Sequence, residues 1–218
     1  EWRFFSCVIL GGGLLIAIVN LTSGTSVGIE PALRDALFYV TAITTTTGFA
    51  STDYELWAPG VQMTLFAFFF IGGMAGSTGG GIKAMRILLL LKQTANEIRK
   101  HLHPRAVLLT RIGTTPVKQE VLANVTGFVI LYLIFCLVGA ILLAFMGMDL
   151  LSAIGASIAT VGNVGPGFGD VGPTDNYGWL SSPALALLSF FMLVGRLEIF
   201  TVLLLFHPET WKNRRSFR

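Results

Sequence analysis

The chain has 218 residues, of which 53% are hydrophobic and 12% charged, with a formal net charge of +3 and a mean hydropathy of +0.72. Soluble domains carry about 25% charged residues, so this composition argues against a soluble enzyme and for a membrane protein. At roughly 20 apolar residues per crossing helix, the length accommodates four spans and some shorter pieces.

Glu1 opens the chain without the basic segment, short apolar stretch and small-residue cleavage site of a leader, so the sequence reads as a segment of a longer polypeptide. Residues 4–21 are uncharged and long enough to cross. A shorter apolar stretch, 31–43, runs into a threonine-rich segment and reads as a re-entrant half-helix. The second span, 61–82, ends in glycines. A basic stretch follows, with Lys92, Arg99, Lys100, Arg105, Arg111 and Lys118 against Glu97 and Glu120. The third span, 125–148, is 24 uncharged residues, and 150–159 is a second half-helix before a Gly/Asn run. The fourth span, 183–206, contains Arg196 and Glu198, so it must face protein or water there. A basic tail closes the chain, with Lys212, Arg214, Arg215 and Arg218 against Glu209.

The basic stretches predict cytoplasmic ends. The opposite side holds Glu30, Asp35, Asp53, Glu55, Asp149, Asp170 and Asp175 with one arginine, Arg34. An acidic face of this kind raises the cation concentration near a pore mouth, or simply keeps loops soluble. Trp57, Trp179 and Trp211 fall at span ends, as an interfacial belt requires. Cys7 and Cys136 lie in apolar runs and read as small core hydrophobes. His101 and His103 read as solvated, and Asn20-Leu21-Thr22 matches a glycosylation triplet of the kind that occurs by chance.

Each half of the chain reads span, half-helix, Gly/Thr run, span. Setting Gly48 against Gly165 gives an offset of 117 residues, which also pairs Leu10 with Gly127 and Leu89 with Phe206. The repeats are then parallel, not inverted. A parallel repeat of this kind suits an ion pore. Carbonyls and hydroxyls of a Gly/Thr loop replace the water stripped from a cation, glycine permits the dihedrals that aim carbonyls inward, and the negative C-terminal ends of the half-helices point toward the membrane middle. The bland alternative, an ordinary tight turn after Thr44, is disfavoured by the second copy at one offset.

Six glycines fall within residues 72–81, and at about 1 kcal/mol each relative to alanine they break the second span in mid-membrane. Such backbone must be buried in protein or line a cavity, so the loop reads as a gate below the filter. A phosphate loop is the weaker rival, because the Gly-Lys-Ser/Thr end and a preceding strand are lacking. A glycine seam for helix packing is compatible with the gate. By the 117 offset, Arg196 lies at the depth of Gly79 and is expected to meet the loop's carbonyls. The alternative is a purely structural ion pair. Glu198 faces away from Arg196, with Lys83 and Arg86 as its candidate partners by depth.

Thr-Thr-Thr-Gly-Phe at 45–49, Ala-Gly-Ser-Thr-Gly-Gly-Gly-Ile-Lys at 75–83, His-Pro-Arg-Ala-Val at 103–107, Asn-Val-Gly-Pro-Gly at 163–167 and Gly-Arg-Leu-Glu-Ile-Phe-Thr at 195–201 together resemble the bacterial TrkH-type potassium uptake proteins, a superfamily that includes the Ktr membrane subunits. The glycine loop and the Gly-Arg-Leu-Glu segment are the most specific. Members have four repeats around one pore, and this chain resembles the third and fourth. The resemblance implies a third filter quarter of Thr45, Thr46, Thr47, Gly48 and Phe49, and a fourth of Gly162, Asn163, Val164, Gly165 and Pro166, with K+ as the transported ion. It makes Gly76, Ser77, Thr78, Gly79, Gly80 and Gly81 the gating loop and Arg196 the charge beside it. It also implies two N-terminal repeats outside this chain, a homodimer in the bacterial inner membrane, and a TrkA-like cytoplasmic nucleotide-binding ring docked on the basic connector and tail. No nucleotide motif, cofactor or nucleic-acid role is expected of the chain itself.

The expected architecture is an all-α membrane protein of two parallel repeats, each a transmembrane helix, a re-entrant half-helix with its filter loop, and a second transmembrane helix. Residues 1–92 form the first repeat, 93–120 a basic connector, 121–211 the second repeat and 212–218 a basic tail. The expected function is potassium uptake by diffusion. Rival readings are a carrier coupled to Na+ or H+, for which Glu198 is the one deeply placed acid, and a membrane enzyme acting on phosphorylated or lipid substrates, for which no nucleophile with an adjacent base is evident.

Overall fold

The computed structural model describes residues 1–103, 108–113, 115–197, 199–206 and 208. Glu198, the tail 212–218, Trp211 and residues 104–107 of the His-Pro-Arg motif lie outside the described residues.

The two halves are built alike. Helix α1 (Trp2–Thr22) is followed by the half-helix α2 (Ile29–Thr44), and α5 (Gln119–Phe145) by the half-helix α6 (Leu150–Val161). Both first helices are apolar along their length and expose rows of large side chains, among them Leu14 and Ile18 on α1 and Ile130, Leu137 and Ile141 on α5. Such faces are suited to lipid. Helix α1 ends where the Ser23 and Thr22 hydroxyls return to the Val19 carbonyl at 2.8 and 3.0 Å, satisfying acceptors that the last turn leaves open. Helix α6 begins at Asp149, whose carboxylate accepts from the N–H groups of Leu151 (3.1 Å) and Ser152 (3.4 Å). The half-helices pack back on the first helices, with the Ser157 hydroxyl donating to the Cys136 carbonyl at 2.7 Å.

After the loop that follows each half-helix comes a 3-10 turn, Tyr54–Leu56 and Tyr177–Trp179. Asp53 caps the first by accepting from Glu55 N–H, and Asn176 caps the second by accepting from Gly178 N–H, both at 2.9 Å. A helix with proline in its first turn follows each: α3 (Pro59–Phe68) and α7 (Ser182–Arg196), as expected where a fixed φ and a missing donor cost nothing. A buried aromatic cluster joins the halves. Tyr39 meets Tyr54 and Trp57 edge-on at 5.3 and 5.2 Å, and Phe168 lies 5.2 Å from Tyr54 and 5.5 Å from Phe69.

Several expectations need correction. Among the described residues two helices, α1 and α5, are long and apolar enough to cross a membrane, or three spans if α7 and α8 (Ile199–Phe206) count as one. The second span is not a helix up to its glycines. It stops at Phe68, and the chain forms a short parallel pair, β1 (Ile71–Gly72) with β2 (Ile82–Lys83), before α4 (Ala84–Leu102). The fourth span is broken too, since α7 and α8 are bent by 112° at the break. The 117-residue offset holds through the loops after α2 and α6 and then fails. Tyr54 and Tyr177 are 123 residues apart, as are Pro59 and Ser182, because the second repeat has six extra residues between that loop and the turn. Arg196 is therefore equivalent to Gly73, not Gly79, and the breaks in the two second helices fall at corresponding places.

Smaller departures have plain causes. Cys136 is buried but Cys7 is exposed, so only one of the two is a core residue. Asn20 is fully buried, which leaves its triplet inaccessible to a glycosylating enzyme. Trp57 is buried in the aromatic cluster, while Trp179 is exposed. The connector carries a second small pair, β3 (Arg111–Ile112) with β4 (Thr115–Pro116), and it lies along α4, where Lys92 donates to the Arg111 carbonyl at 2.9 Å and Asn96 to the Thr110 hydroxyl at 3.1 Å. Arg86 of α4 stacks 3.9 Å from the Phe128 ring of α5.

The Asp149 cap generates a prediction with a definite sign. The Ser152 hydroxyl first, then the N–H groups of Ser152 and Leu151, hold its carboxyl below the usual range. Its contribution is therefore present above the ordinary carboxylate pKa and lost as pH falls through that range toward the depressed value. Asp149→Ala should lower unfolding stability in detergent at neutral pH by about 1 kcal/mol, the typical loss for an N-cap. The difference from the parent should vanish in acid, and equal stability at neutral pH would show the cap to be idle.

Candidate functional site

The loops after α2 and α6 have the same backbone. Thr45 N–H donates to the Thr41 carbonyl, Thr46 N–H to Ile43 and Thr47 N–H to Ala42, at 2.9, 3.0 and 2.8 Å; Gly162, Asn163 and Val164 repeat this on Ile158, Thr160 and Ala159, at 2.8, 3.1 and 2.8 Å. Thr46 and Asn163, equivalent residues, both have φ of 55° and are the non-glycine residues with positive φ among those described. Left-handed backbone is costly for a β-branched threonine. Its occurrence at matching places in both halves marks a conformation that the surroundings enforce. Two residues on, Gly48 and Gly165 are left-handed as well, at 71° and 114°, where glycine carries no steric cost.

The two loops meet. Gly48 lies against the Val164 carbonyl so closely that any Cβ there would collide with it, and Pro166 Cδ is 3.1 Å from the same point. Beside this contact is a cavity of about 420 Å³ whose lining includes Thr46, Thr47, Thr160, Asn163, Val164 and Gly165. Apolar side chains of α6 and α7, among them Ala159, Leu185, Leu188 and Met192, complete the lining. Among the described residues, no group of three or more His, Cys, Asp or Glu side chains is disposed to hold a metal ion. The C-terminal ends of α2 and α6 converge on the loops and add their negative partial charge. Phe49 is exposed and Pro166 half-buried.

The loops are braced from behind. Asn163 Nδ2 donates to the Met192 carbonyl of α7 at 3.2 Å, and Tyr177 donates its hydroxyl to the Gly165 carbonyl at 2.7 Å. Burial pushes the Tyr177 phenol above its ordinary pKa, which keeps it a donor. Tyr39 accepts from the N–H groups of Ser51 and Thr52 at 2.9 and 2.7 Å. Tyr54 donates to the Gly167 carbonyl, and Glu55 Oε1 accepts from Gly169 N–H at 2.6 Å. Burial raises the Glu55 carboxyl; the Gly169 N–H pulls it down, and Asp53, Asp175 and Asp170 push it up again.

The glycine loop lies against both of these loops. Gly80 N–H donates to the Thr46 hydroxyl at 3.1 Å. A Cβ on Gly80 would strike the Gly162 carbonyl, with Asn163 Cβ 2.9 Å away, and one on Gly79 would sit 3.2 Å from the Thr45 carbonyl. Gly80 and Gly81 are buried, Gly79 is half-buried, and Gly76, Ser77 and Thr78 are exposed. The expected holder of this loop was Arg196. Instead Lys83 Nζ donates to the carbonyls of Ser77, at 2.7 Å, and Gly79, while the Glu1 carboxylate accepts from Ala75 N–H at 2.6 Å. Arg196 is exposed at the end of α7, with no hydrogen bond or ion pair among the described residues. The residue next to it, Gly195, is the one that packs on the loop after α6, close to Asn163 and the Val161 carbonyl.

The structure brings together the two loops and the glycine loop that the sequence singled out, and adds Tyr54, Glu55 and Tyr177, which sequence reasoning missed, and the hold of Lys83 on its own loop. A lysine placed just past a glycine run was the available signal for Lys83, since its reach folds back over its own loop. Lys83→Met should accelerate amide hydrogen exchange across residues 75–81 and leave α1 and α5 unchanged. Unaltered exchange in the loop would mean that the ammonium does not hold it.

The comparisons with known proteins agree with this geometry. A family model for TrkH, described as a cation transport protein, matches residues 13–213. The chain is 37% identical over 209 residues to the Trk system potassium uptake protein TrkH of Halomonas elongata, covering 96% of this chain and 43% of that protein. It is 42% identical over 182 residues to the protein of the same name from Vibrio parahaemolyticus, covering 84% of this chain and 37% of that one. The crystal structure of the potassium transporter TrkH from Vibrio parahaemolyticus superposes with a TM-score of 0.89 at 39% identity, over 96% of this chain and 44% of that chain. The chain therefore spans about two-fifths of the length of these relatives.

Proposed function

This chain belongs to the TrkH family of cation transport proteins, and on that premise we propose that it supplies two of the four repeats of a potassium uptake pathway. The observation that carries the proposal is the pair of matching left-handed loops in contact with one another, with a glycine loop pressed on both. In this reading K+ is the transported ion. It sheds water for the carbonyls of residues 45–49 and 162–166 and moves down its electrochemical gradient with no bond made or broken. The loop 76–81 closes the path beneath the filter. Arg196, exposed at the break in the fourth-repeat helix, adds the positive charge that an ion meets on passing the loop.

The relatives' printed names support potassium as the ion, and their greater length supports two further repeats supplied outside this chain. The rest of the proposed assembly is a homodimer in the bacterial inner membrane. Its basic connector and C-terminal side face the cytoplasm and dock a TrkA-like nucleotide-binding ring. Thr110 and Arg111 of the connector, held against α4, give such a ring a surface to bind.

Potassium uptake in cells lacking their own uptake systems tests the reading, with this chain expressed alone and joined to a matching two-repeat N-terminal segment. Uptake is expected only in the joined protein. Deletion of residues 76–80 should raise it about tenfold, the effect of removing a barrier of about 1.4 kcal/mol. Gly165→Asp should abolish or de-select flux without preventing membrane insertion. A joined protein that inserts normally yet carries no potassium would contradict the proposal, and so would uptake by the chain alone.

A further inference from the structure

The brace behind the second filter segment comes from the other repeat. Tyr54 and Glu55, in the 3-10 turn before α3, reach across to Gly167 and Gly169. Those glycines lie in the extra stretch that lengthens the second repeat by six residues. Tyr54 is buried, and its ring packs 5.2 Å from that of Phe168. Gly169 is held at φ of 72°. Gly172 approaches so closely that a Cβ there would stand 3.0 Å from the Glu55 carboxyl carbon.

The two turns differ at one informative place. Shifted by 123 residues, Tyr54 corresponds to Tyr177 and Glu55 to Gly178. The turn thus forms in the second repeat without an acid, so the repeat fold does not demand one. Glu55 is half-buried, yet its neighbouring charges are the carboxylates of Asp53, Asp170 and Asp175. Among the described residues no lysine, arginine or histidine pairs with it. A half-buried carboxylate among other acids is unfavourable. What this one gains is a charge-assisted hydrogen bond to a backbone amide four residues beyond Gly165.

We propose that Glu55 is a positioning residue for the second filter segment: by holding Gly169 N–H it fixes the carbonyls of residues 162–165 and so sets the discrimination between potassium and sodium. The proposal rests on the filter reading given above. The chain from Gly165 to Gly169 is short, and both its ends are tied, at Gly165 by Tyr177 and at Gly169 by Glu55. Release of the outer tie frees the segment to close on a smaller ion, because coordination geometry is kept only as well as its supporting shell keeps it.

The test compares potassium and sodium uptake by the joined protein carrying Glu55→Met, which retains bulk without a strong acceptor, and Glu55→Gln, which retains an acceptor oxygen without charge. Glu55→Met should lower the potassium-to-sodium ratio by up to about tenfold, the scale of a lost hydrogen bond, while Glu55→Gln, which keeps the acceptor, stays close to the parent. Amide exchange of residues 167–169 in the purified chain should rise in the first variant only. Faster exchange with unchanged discrimination would make Glu55 scaffold and overturn the proposal. Equal loss in both variants would overturn it in favour of the charge alone. Should Glu55→Met fail to reach the membrane, Tyr54→Phe decides, since cutting the adjacent tie must shift the ratio the same way. A parent protein that takes up sodium and potassium alike refutes the filter reading and this proposal with it, whereas a selective parent with a selective Glu55→Met refutes only the role of Glu55.

Discussion

Backbone carbonyls released from helices at membrane depth must be met by protein or by an ion, since the hydrocarbon offers them nothing. The loops after α2 and α6 and the glycine loop are packed on one another. The Val164 carbonyl packs on Gly48, the Gly162 carbonyl on Gly80, and Gly80 in turn donates to Thr46. Much of the rest of the chain serves this junction. The half-helices deliver the loops, the capped turns lead into α3 and α7, and the aromatic cluster around Tyr39, Tyr54 and Phe168 locks one repeat to the other.

Glycine occupies the contact points because a methyl group would not fit there, and the same positions supply the left-handed backbone at Gly48 and Gly165. Asn163 is of a residue type that tolerates the left-handed region, but Thr46, β-branched, is not. Both side chains are engaged, Thr46 with Gly80 and Asn163 with Met192. At Thr46 the strain is offset by a hydrogen bond that ties its loop to the glycine loop.

The sequence made the half-helices, the paired loops and the glycine break legible because each rests on local chemistry: apolar length, threonine and glycine content, and one repeat offset. The end of α2 at Thr44 and of α6 at Val161 keep that offset. What failed was its extension past the filter. Six extra residues in the second repeat shift the register to 123, which moved Arg196 from the depth of Gly79 to that of Gly73. The bend between α7 and α8 was invisible for a related reason, since residues 183–206 are apolar on both sides of it. Tyr54 and Glu55 bind partners more than a hundred residues away in irregular loops, where no periodicity announces the contact. Lys83 was in view as a candidate partner of Glu198, which lies outside the described residues, and its bonds to the carbonyls of its own loop went unread.

If the two loops present adjoining quarters of one cation path, anomalous diffraction from crystals of the joined protein soaked in thallium, a heavy substitute for potassium, should show ion density beside the carbonyls of residues 45–48 and 162–165, immediately outward of the glycine loop. Density confined to any other part of the protein, in crystals of a variant that transports potassium, would contradict it.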